Sequence, residues 1–295
     1  MNRWMILQCD YGQLGNRFHT HANALAWCIE NNVNLLNLSF KQYAINFGHN
    51  RNQNAEILSV KKGILNSLFS NLMFRNILKR ICMSEKWLKR LSFVLDVIRR
   101  EDYEILNEIE IDEAFLSTKL IVVVRAWNLN CSKSIKHHEG RIRQILCPLV
   151  YDQNIADSYI RKLRNRYDII VGVHARRGDY RNFLNGKYYY SWTEYKIWIT
   201  NIIKVFKASK KNRVGVIICS DETVDIQLFN NLPVNISEKP TVINDMLILS
   251  LCDYNIGPPS SLGTWISWYG KVPRFSLEDK SSINSIDQFK ICLTC

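Results

Sequence analysis

The sequence predicts an α/β protein of two domains built on parallel sheets, and three observations predict it. The chain has 295 residues, a length that usually divides into about two domains. Apolar or β-branched runs alternate with stretches of helical spacing along most of it. Runs such as Ile121-Val122-Val123-Val124 and Ile169-Ile170-Val171-Gly172-Val173 lack polar alternation, as do strands covered on both faces.

Taken in order, Trp4–Cys9 is a short strand. A turn with two glycines follows, Tyr11-Gly12-Gln13-Leu14-Gly15-Asn16, and Ala22–Glu30 reads as a helix. Residues 64–99 carry Leu, Ile and Phe at helical spacing. Lys119–Ala126 contains a buried strand. Arg141–Tyr167 is mostly helical and crosses a domain boundary near 150. Asp168–His174 is a strand, Trp192–Lys207 a helix and Val214–Cys219 a strand, with a helix expected from Asp221 onward. Thr241–Leu251 is a helix, Tyr254–Gly257 a short strand, and Ser260–Tyr269 a helix after the turn Gly257-Pro258-Pro259. The expected domains are therefore 1–150, with a helical basic insertion at 61–100, and 151–295.

Composition narrows the function. Hydrophobic residues make up 47% and aromatics 11%, which excludes a disordered chain, a fibre and a small disulfide scaffold. The 39 Lys+Arg against 27 Asp+Glu give a net charge of +12. That excess implies an anionic partner: nucleic acid, a membrane surface or a phosphorylated substrate. It is concentrated in residues 61–100 (+8) and 161–220 (+11). In the first block Lys79, Arg80, Lys86, Lys89 and Arg90 interleave with Phe74, Ile77, Trp87 and Leu91. Such a pattern fits either a helix lying on an anionic membrane or a packed helix with a solvated basic face.

The nine cysteines are scattered, as buried reduced thiols are. Cys292 and Cys295 form one tight pair, open to a half zinc site, a redox pair or a prenylation signal. No signal-like segment opens the chain, and no apolar run reaches the roughly 18 residues of a spanning helix. The expectation is a cytoplasmic protein, with peripheral contact at the inner face of a membrane as the alternative. The sequons at Asn37, Asn130 and Asn235 are then unused.

Three polar clusters fall at strand ends, where ligands bind in parallel sheets. The first is His174-Ala175-Arg176-Arg177-Gly178-Asp179-Tyr180. Guanidinium forks match phosphate oxygens, and Asp179 is placed to fix one arginine. The second is Ser220-Asp221. The third joins Asp245, at the head of one helix, to Ser260-Ser261 at the head of the next, where hydroxyls and free N–H groups suit phosphate. Gly12 and Gly15 let backbone approach a ligand. Each cluster also has a bland reading: a surface arginine pair, or N-caps at Asn16 and Ser260.

Together, their order resembles the inverting fucosyltransferases, most closely the alpha-1,2-fucosyltransferase family. Gly12-Gln13-Leu14-Gly15-Asn16-Arg17 is similar to that family's Gly-x-Leu-Gly-Asn-Gln loop. His174 to Tyr180 matches its His-x-Arg-Arg-Gly-Asp-Tyr signature, and Val216–Asp221 its strand ending in Ser-Asp. Asp245 to Trp268 is similar to its Asp…Ser-Ser…Trp segment. Two departures stand out: Arg17 in place of Gln, and Ser260-Ser261-Leu262-Gly263-Thr264-Trp265 in place of Ser-Ser-Phe-Ser-Trp-Trp.

The resemblance implies a GT-B-like fold, two Rossmann-like domains facing each other across a donor cleft, with GDP-fucose as donor. It implies that Arg177 and Arg176 bind the diphosphate, with Ser260 and Ser261 adding contacts. It implies that Asp245 accepts hydrogen bonds from guanine and that Asp221 reaches the nucleotide. His174 would orient the diphosphate, and Gly15 and Asn16 would close over the donor. The acceptor would be a glycan, through a galactose 2-hydroxyl.

Leaving-group charge on a diphosphate needs a metal or fixed cations. No Asp-x-Asp occurs in the chain, so the arginines are expected to serve without a divalent metal or other cofactor. Candidates for the base are Asp10 and Asp179. Two other readings are a transferase using another nucleotide sugar and a basic nucleic-acid-binding protein. The latter has no zinc-finger, RNP-like or helix-turn-helix signature to support it, so nucleic acid is not the expected partner.

Overall fold

The computed structural model describes residues 3–8, 12–47, 57–58, 68, 71–99, 109–110, 119–125, 129–208, 213–238, 240–278 and 282–292. Two compact units divide between Leu149 and Val150.

In the first unit β1 (Trp4–Leu7) lies at the centre of a five-stranded sheet. All four of its residues are buried, which explains the unbroken apolar run. Parallel neighbours flank it: β2 (Asn34–Asn37) on one side and β6 (Ile121–Arg125) on the other. Beyond them β3 (Ile57–Leu58) pairs antiparallel with β2, and β4 (Leu95–Arg99) pairs parallel with β6. A separate two-stranded ladder joins β5 (Ile109–Glu110) to β7 (Leu129–Asn130).

Two expectations need correction here. Helix α1 spans Leu14–Glu30 rather than starting at Ala22. Gly15 and Asn16 are poor helix formers, but Leu14 and Phe18 are fully buried, and that burial outweighs propensity. The residue preceding the helix is therefore Gln13, which makes no capping bond, and Asn16 lies inside the first turn. Asn32, at φ 55°, turns the chain out of α1 toward β2.

The second correction concerns 64–99, which is not helical throughout. After α2 (Lys41–Ala44) come α3 (Leu72–Met83) and α4 (Glu85–Arg90), and then β4. The Asn71 side chain starts α3 by accepting the Met73 and Phe74 N–H groups at 2.9 and 3.2 Å. Phe74, Leu78, Cys82 and Leu88 pack with Trp4, Ile6 and Leu95 in one core. The basic block thus supplies a sheet strand and is integral to the unit rather than an insertion on it. Residues 61–67, 69–70 and 100 of that block lie outside the described residues, as do Asp10 and Cys295. Helices α5 (Ser132–His137) and α6 (Glu139–Ile145) complete the unit.

The second unit opens with α7 (Val150–Arg164) and holds a fully parallel sheet. Its strands are β8 (Ile169–Ala175), β9 (Val214–Ser220), β10 (Val234–Ile236), β11 (Tyr254–Gly257) and β12 (Arg274–Ser276). Their order is β10-β9-β8-β11-β12. The chain therefore leaves β8 to build one side and returns to build the other, which makes the carboxyl end of β8 a topological switch point.

Helix α8 (Trp192–Ala208) buries Trp198, Ile199, Ile202 and Phe206 against Val171, Val173, Val216 and Ile218. Helices α9 (Val242–Ser250) and α10 (Ser261–Gly270) follow. Trp265 and Trp268 of α10 are buried with ring centroids 5.0 Å apart. The helix expected from Asp221 is absent. In its place a loop leads to a single 3₁₀ turn, Ile226–Phe229, with Phe229 buried. Asp225, Asn230, Asn231 and Pro233 are weak helix formers, and Asp221 and Glu222 bond elsewhere.

Cys28, Cys82, Cys219 and Cys252 are buried and free, and Cys131, Cys147 and Cys292 are partly buried and free. Among the described residues no helix is long and apolar enough to cross a membrane.

Candidate functional site

The chain leaves β8 at His174 and enters a loop that carries both arginines. Two carboxylates anchor this loop. Asp221, just past β9, accepts the backbone N–H of Arg177 at 2.8 Å and of Gly178 at 3.1 Å. Both of its oxygens therefore hold the loop, rather than standing open to a ligand. Tyr180 reaches the other way, donating its hydroxyl hydrogen to the Pro259 carbonyl at 2.5 Å. The motif is thus tied to β9 on one side and to the turn after β11 on the other.

The two arginines differ. Arg176 is gripped by Asp179, Nε to Oδ1 at 3.0 Å and Nη2 to Oδ2 at 2.6 Å. Its guanidinium lies 4.5 Å over the Tyr180 ring. That fork fixes the rotamer and leaves Nη1 without a partner among the described residues. The Arg176 hydrogen bond holds the Asp179 carboxyl below the usual carboxylate range, which makes it a weak base near neutral pH.

Arg177 is buried, and each of its guanidinium nitrogens has a protein partner: Glu222 Oε2 at 2.8 Å, the Tyr189 hydroxyl at 2.8 Å and the Tyr190 carbonyl. It is also stacked on Tyr189 and Trp192, at 4.5 and 4.6 Å. The Glu222 carboxylate, lowered by that hydrogen bond, also receives Arg181 at 3.2 Å.

His174 stands beside the turn Gly257-Pro258-Pro259. Burial pushes its pKa down to about 3, and Arg274 and Arg176 add to the effect. The ring is therefore neutral and offers one donor and one acceptor. Its Nδ1 lies 3.4 Å from Ser260 Oγ. Ser260 caps α10, accepting the Gly263 N–H at 3.0 Å, and Ser261 is the first helical residue. The capping role does not remove Ser260 from the site, because the cap places its hydroxyl next to His174.

Asp245 sits in the first turn of α9, whose N-cap Thr241 accepts the Asn244 N–H at 3.1 Å. Burial pushes the Asp245 carboxyl up to about 6, partly offset by Ser237 and Cys219 beside it. Its Oδ1 and the Ser237 Oγ are both buried without a hydrogen-bond partner of ordinary geometry. Buried polar atoms are costly unless paired, and here Ser237 and Cys219 pair in part with the carboxyl.

The residues predicted in the second half thus gather at the carboxyl ends of β8, β9 and β11 and the heads of α9 and α10. Gly15 and Asn16 belong to the first unit, in the opening turn of α1. There Arg17 donates to the Gly12 carbonyl at 3.1 Å and to the Ser39 carbonyl, and lies over Tyr43. The departure at Arg17 therefore braces the turn, which Gly12 enters at φ 71°.

Two residues escaped the sequence reading. Glu222 was visible only as an acidic neighbour of Asp221. Arg274 was visible as a lone cation in the run Val272-Pro273-Arg274-Phe275. Its Nη2 donates to the carbonyls of Gly257 at 3.1 Å and Pro258 at 2.6 Å.

A comparison with protein-family models and with curated protein sequences finds no match. Solved structures do match. One is a mutant of Arabidopsis thaliana FUT1 in complex with GDP, at TM-score 0.58 and 12% identity, over 96% of this chain and 73% of that one. Another is the alpha-1,6-fucosyltransferase NodZ from Bradyrhizobium, soaked with GDP-fucose, at TM-score 0.53 and 14% identity, over 97% and 100%. POFUT1 in complex with GDP matches at TM-score 0.50 and 12% identity, over 91% and 94%. The likeness is one of fold. This chain has the mixed α/β, parallel-sheet architecture of GT-B-type fucosyltransferases.

Proposed function

We propose that this chain transfers fucose from GDP-fucose to a glycan hydroxyl, with inversion and without a divalent metal. The observation that carries the reading is the site at the β8 switch point. A locked arginine with an unused Nη1, a neutral histidine and a serine-capped helix N-terminus meet there. The fold is shared with proteins solved with GDP or GDP-fucose.

In this reading Arg176 Nη1 and the head of α10 neutralise charge growing on the departing GDP. Ser260, Ser261 and His174 orient the diphosphate. Arg177 and Asp221 hold the loop that presents Arg176. Asp245 and Ser237 take the guanine edge: the carboxylate accepts from N1–H and the 2-amino group. Asp179, engaged with Arg176, keeps that cation in place, which leaves Asp10 as the candidate base for the acceptor hydroxyl. The acceptor is a galactose 2-hydroxyl, the reaction of the family the motifs resemble. The basic segment 61–100 brings the enzyme to acceptors at an anionic membrane surface.

Calorimetry with GDP, GDP-fucose, GDP-mannose and UDP-galactose tests the donor. Binding of GDP and GDP-fucose that Arg176→Ala abolishes is expected, with transfer unaffected by EDTA. Equal binding of UDP-galactose would sink the assignment. Salt-sensitive RNA binding without GDP binding would favour the nucleic-acid reading.

A further inference from the structure

Arg274 is a half-buried cation with no carboxylate beside it among the described residues. The ionisable groups that act on it are Cys292, Tyr180 and Tyr195, and none of them is a carboxylate. Burial lowers its pKa from the ordinary arginine value. Its hydrogen bonds among the described residues go to the main-chain carbonyls of Gly257 and Pro258. A guanidinium drawn partly out of water with main-chain carbonyls as its partners is costly for a fold to keep. Its position suggests what offsets that cost.

The guanidinium lies directly behind the first turn of α10. A Cβ placed on Gly263 would come within 2.8 Å of both Nε and Nη2 of Arg274. Gly263 is one of the two positions, with Leu262, at which this sequence departs from the Ser-Ser-Phe-Ser pattern. The same guanidinium grips the turn that leads into Ser260, and its charge helps to keep His174 neutral.

We propose that Arg274 is a second fixed cation of the diphosphate site, acting from behind the α10 N-terminus, and that Gly263 is there to admit it. This deepens the donor reading and rests on it. Arg176 meets the diphosphate directly. Arg274 is a positioning residue: it holds the Gly257-Pro258 turn and adds positive potential to the helix end, where a bound diphosphate supplies the missing counter-charge.

The test is calorimetry with GDP, inorganic pyrophosphate and guanosine, beside thermal unfolding of the unliganded protein. The variants are Arg274→Met, Arg274→Lys and Gly263→Ser. Arg274→Met is expected to weaken GDP and pyrophosphate by about tenfold or more, to leave guanosine unchanged, and to leave the unliganded Tm equal or higher. Arg274→Lys, keeping the charge, is expected to recover most pyrophosphate affinity. Gly263→Ser, which displaces the guanidinium, is expected to weaken pyrophosphate. Should Arg274→Met not fold, Gly263→Ser/Arg274→Ala fills the vacated space and takes the same measurement.

Wild-type affinity for pyrophosphate in the charge-free variant overturns the inference, as does a loss of Tm with no loss of affinity. If the unaltered protein binds neither GDP nor pyrophosphate, the donor reading fails first, and the two failures are thereby told apart.

Discussion

Between residues 161 and 220, five arginines sit at ion-pair distance from carboxylates: Arg164 with Asp253, Arg176 with Asp179, Arg177 and Arg181 with Glu222, and Arg213 with Asp168. Between residues 72 and 99 the cations stand otherwise. Arg80, Lys86 and Lys89 are exposed and have no carboxylate partner among the described residues, and Arg90 lies over Trp87 at 5.4 Å. The apolar side chains there are exposed too: Met73 at 73%, Phe93 at 72% and Trp87 at 47%. Helix α3 in fact has two apolar sides. Phe74, Leu78 and Cys82 face the core, while Met73, Ile77 and Met83 share the outward stripe with Arg80. In one region arginine charge is paired with carboxylates, part of it at the site. In the other it is offered outward beside hydrophobic groups, as on a surface that meets an anionic, partly apolar partner.

Within the first region, Arg176 and Arg177 give the sharpest contrast. Arg176→Ala is expected to lower transfer by about 10²–10³-fold with little change in Tm, because it removes a cation aimed at developing charge. Arg177→Ala is expected to cost about 3 kcal/mol of stability, because it strips partners from Glu222, Tyr189 and the Tyr190 carbonyl. Activity assays read beside thermal unfolding would break the distinction if both variants lost Tm equally.

For the second region, flotation with phosphatidylglycerol vesicles decides. Trp87→Ala/Phe93→Ala is expected to reduce binding several-fold, and 0.5 M salt to reduce it further. Failure of the unaltered protein to float at low salt would leave the outward stripe without a membrane role.

A smaller effect follows from pH. Asp245 is raised from 3.8 to about 6, so the folded chain holds a proton between those values that the unfolded chain has shed. Its contribution to stability is present below about pH 4 and lost as pH rises through 6. His174, lowered from 6.5 to about 3, acts oppositely: stability falls as pH drops from about 6.5, where the unfolded chain takes a proton that the folded ring refuses. Asp245→Asn is therefore expected to raise Tm at pH 7.5 but not at pH 4. Preference for GDP over ADP is expected to fade below about pH 6 in the unaltered protein, followed by competition binding. The smallest effect belongs to the exposed Arg213–Asp168 pair: Arg213→Ala is expected to leave Tm where it was.

The second unit was the more legible in sequence. Its strands are β-branched runs bounded by polar clusters, and Ile169–Ala175 and Val214–Ser220 lie within a residue or so of where the pattern puts them. The first unit was harder because tertiary burial overrides local preference. Leu14 and Phe18 draw Gly15 and Asn16 into a helix. Leu95 and Val97, readable as helical spacing, alternate as a strand once β6 lies alongside. At the site, His174, Arg176 and Ser260 were legible because their motifs are local. Glu222 and Arg274 were not, because nothing in their neighbourhood announces a partner 45 residues before or 16 residues before, respectively.

The placement of β8 at the middle of its sheet also governs when the site comes into being during folding. Its parts arrive from the ends of β8, β9 and β11 and the start of β12, segments far apart in the chain and joined through crossovers that close slowly. No early hairpin or helix pair contains enough of them to bind an anion. Capture of a fluorescent guanine nucleotide would therefore time the last stage of refolding, and should lag behind the recovery of helical signal by circular dichroism.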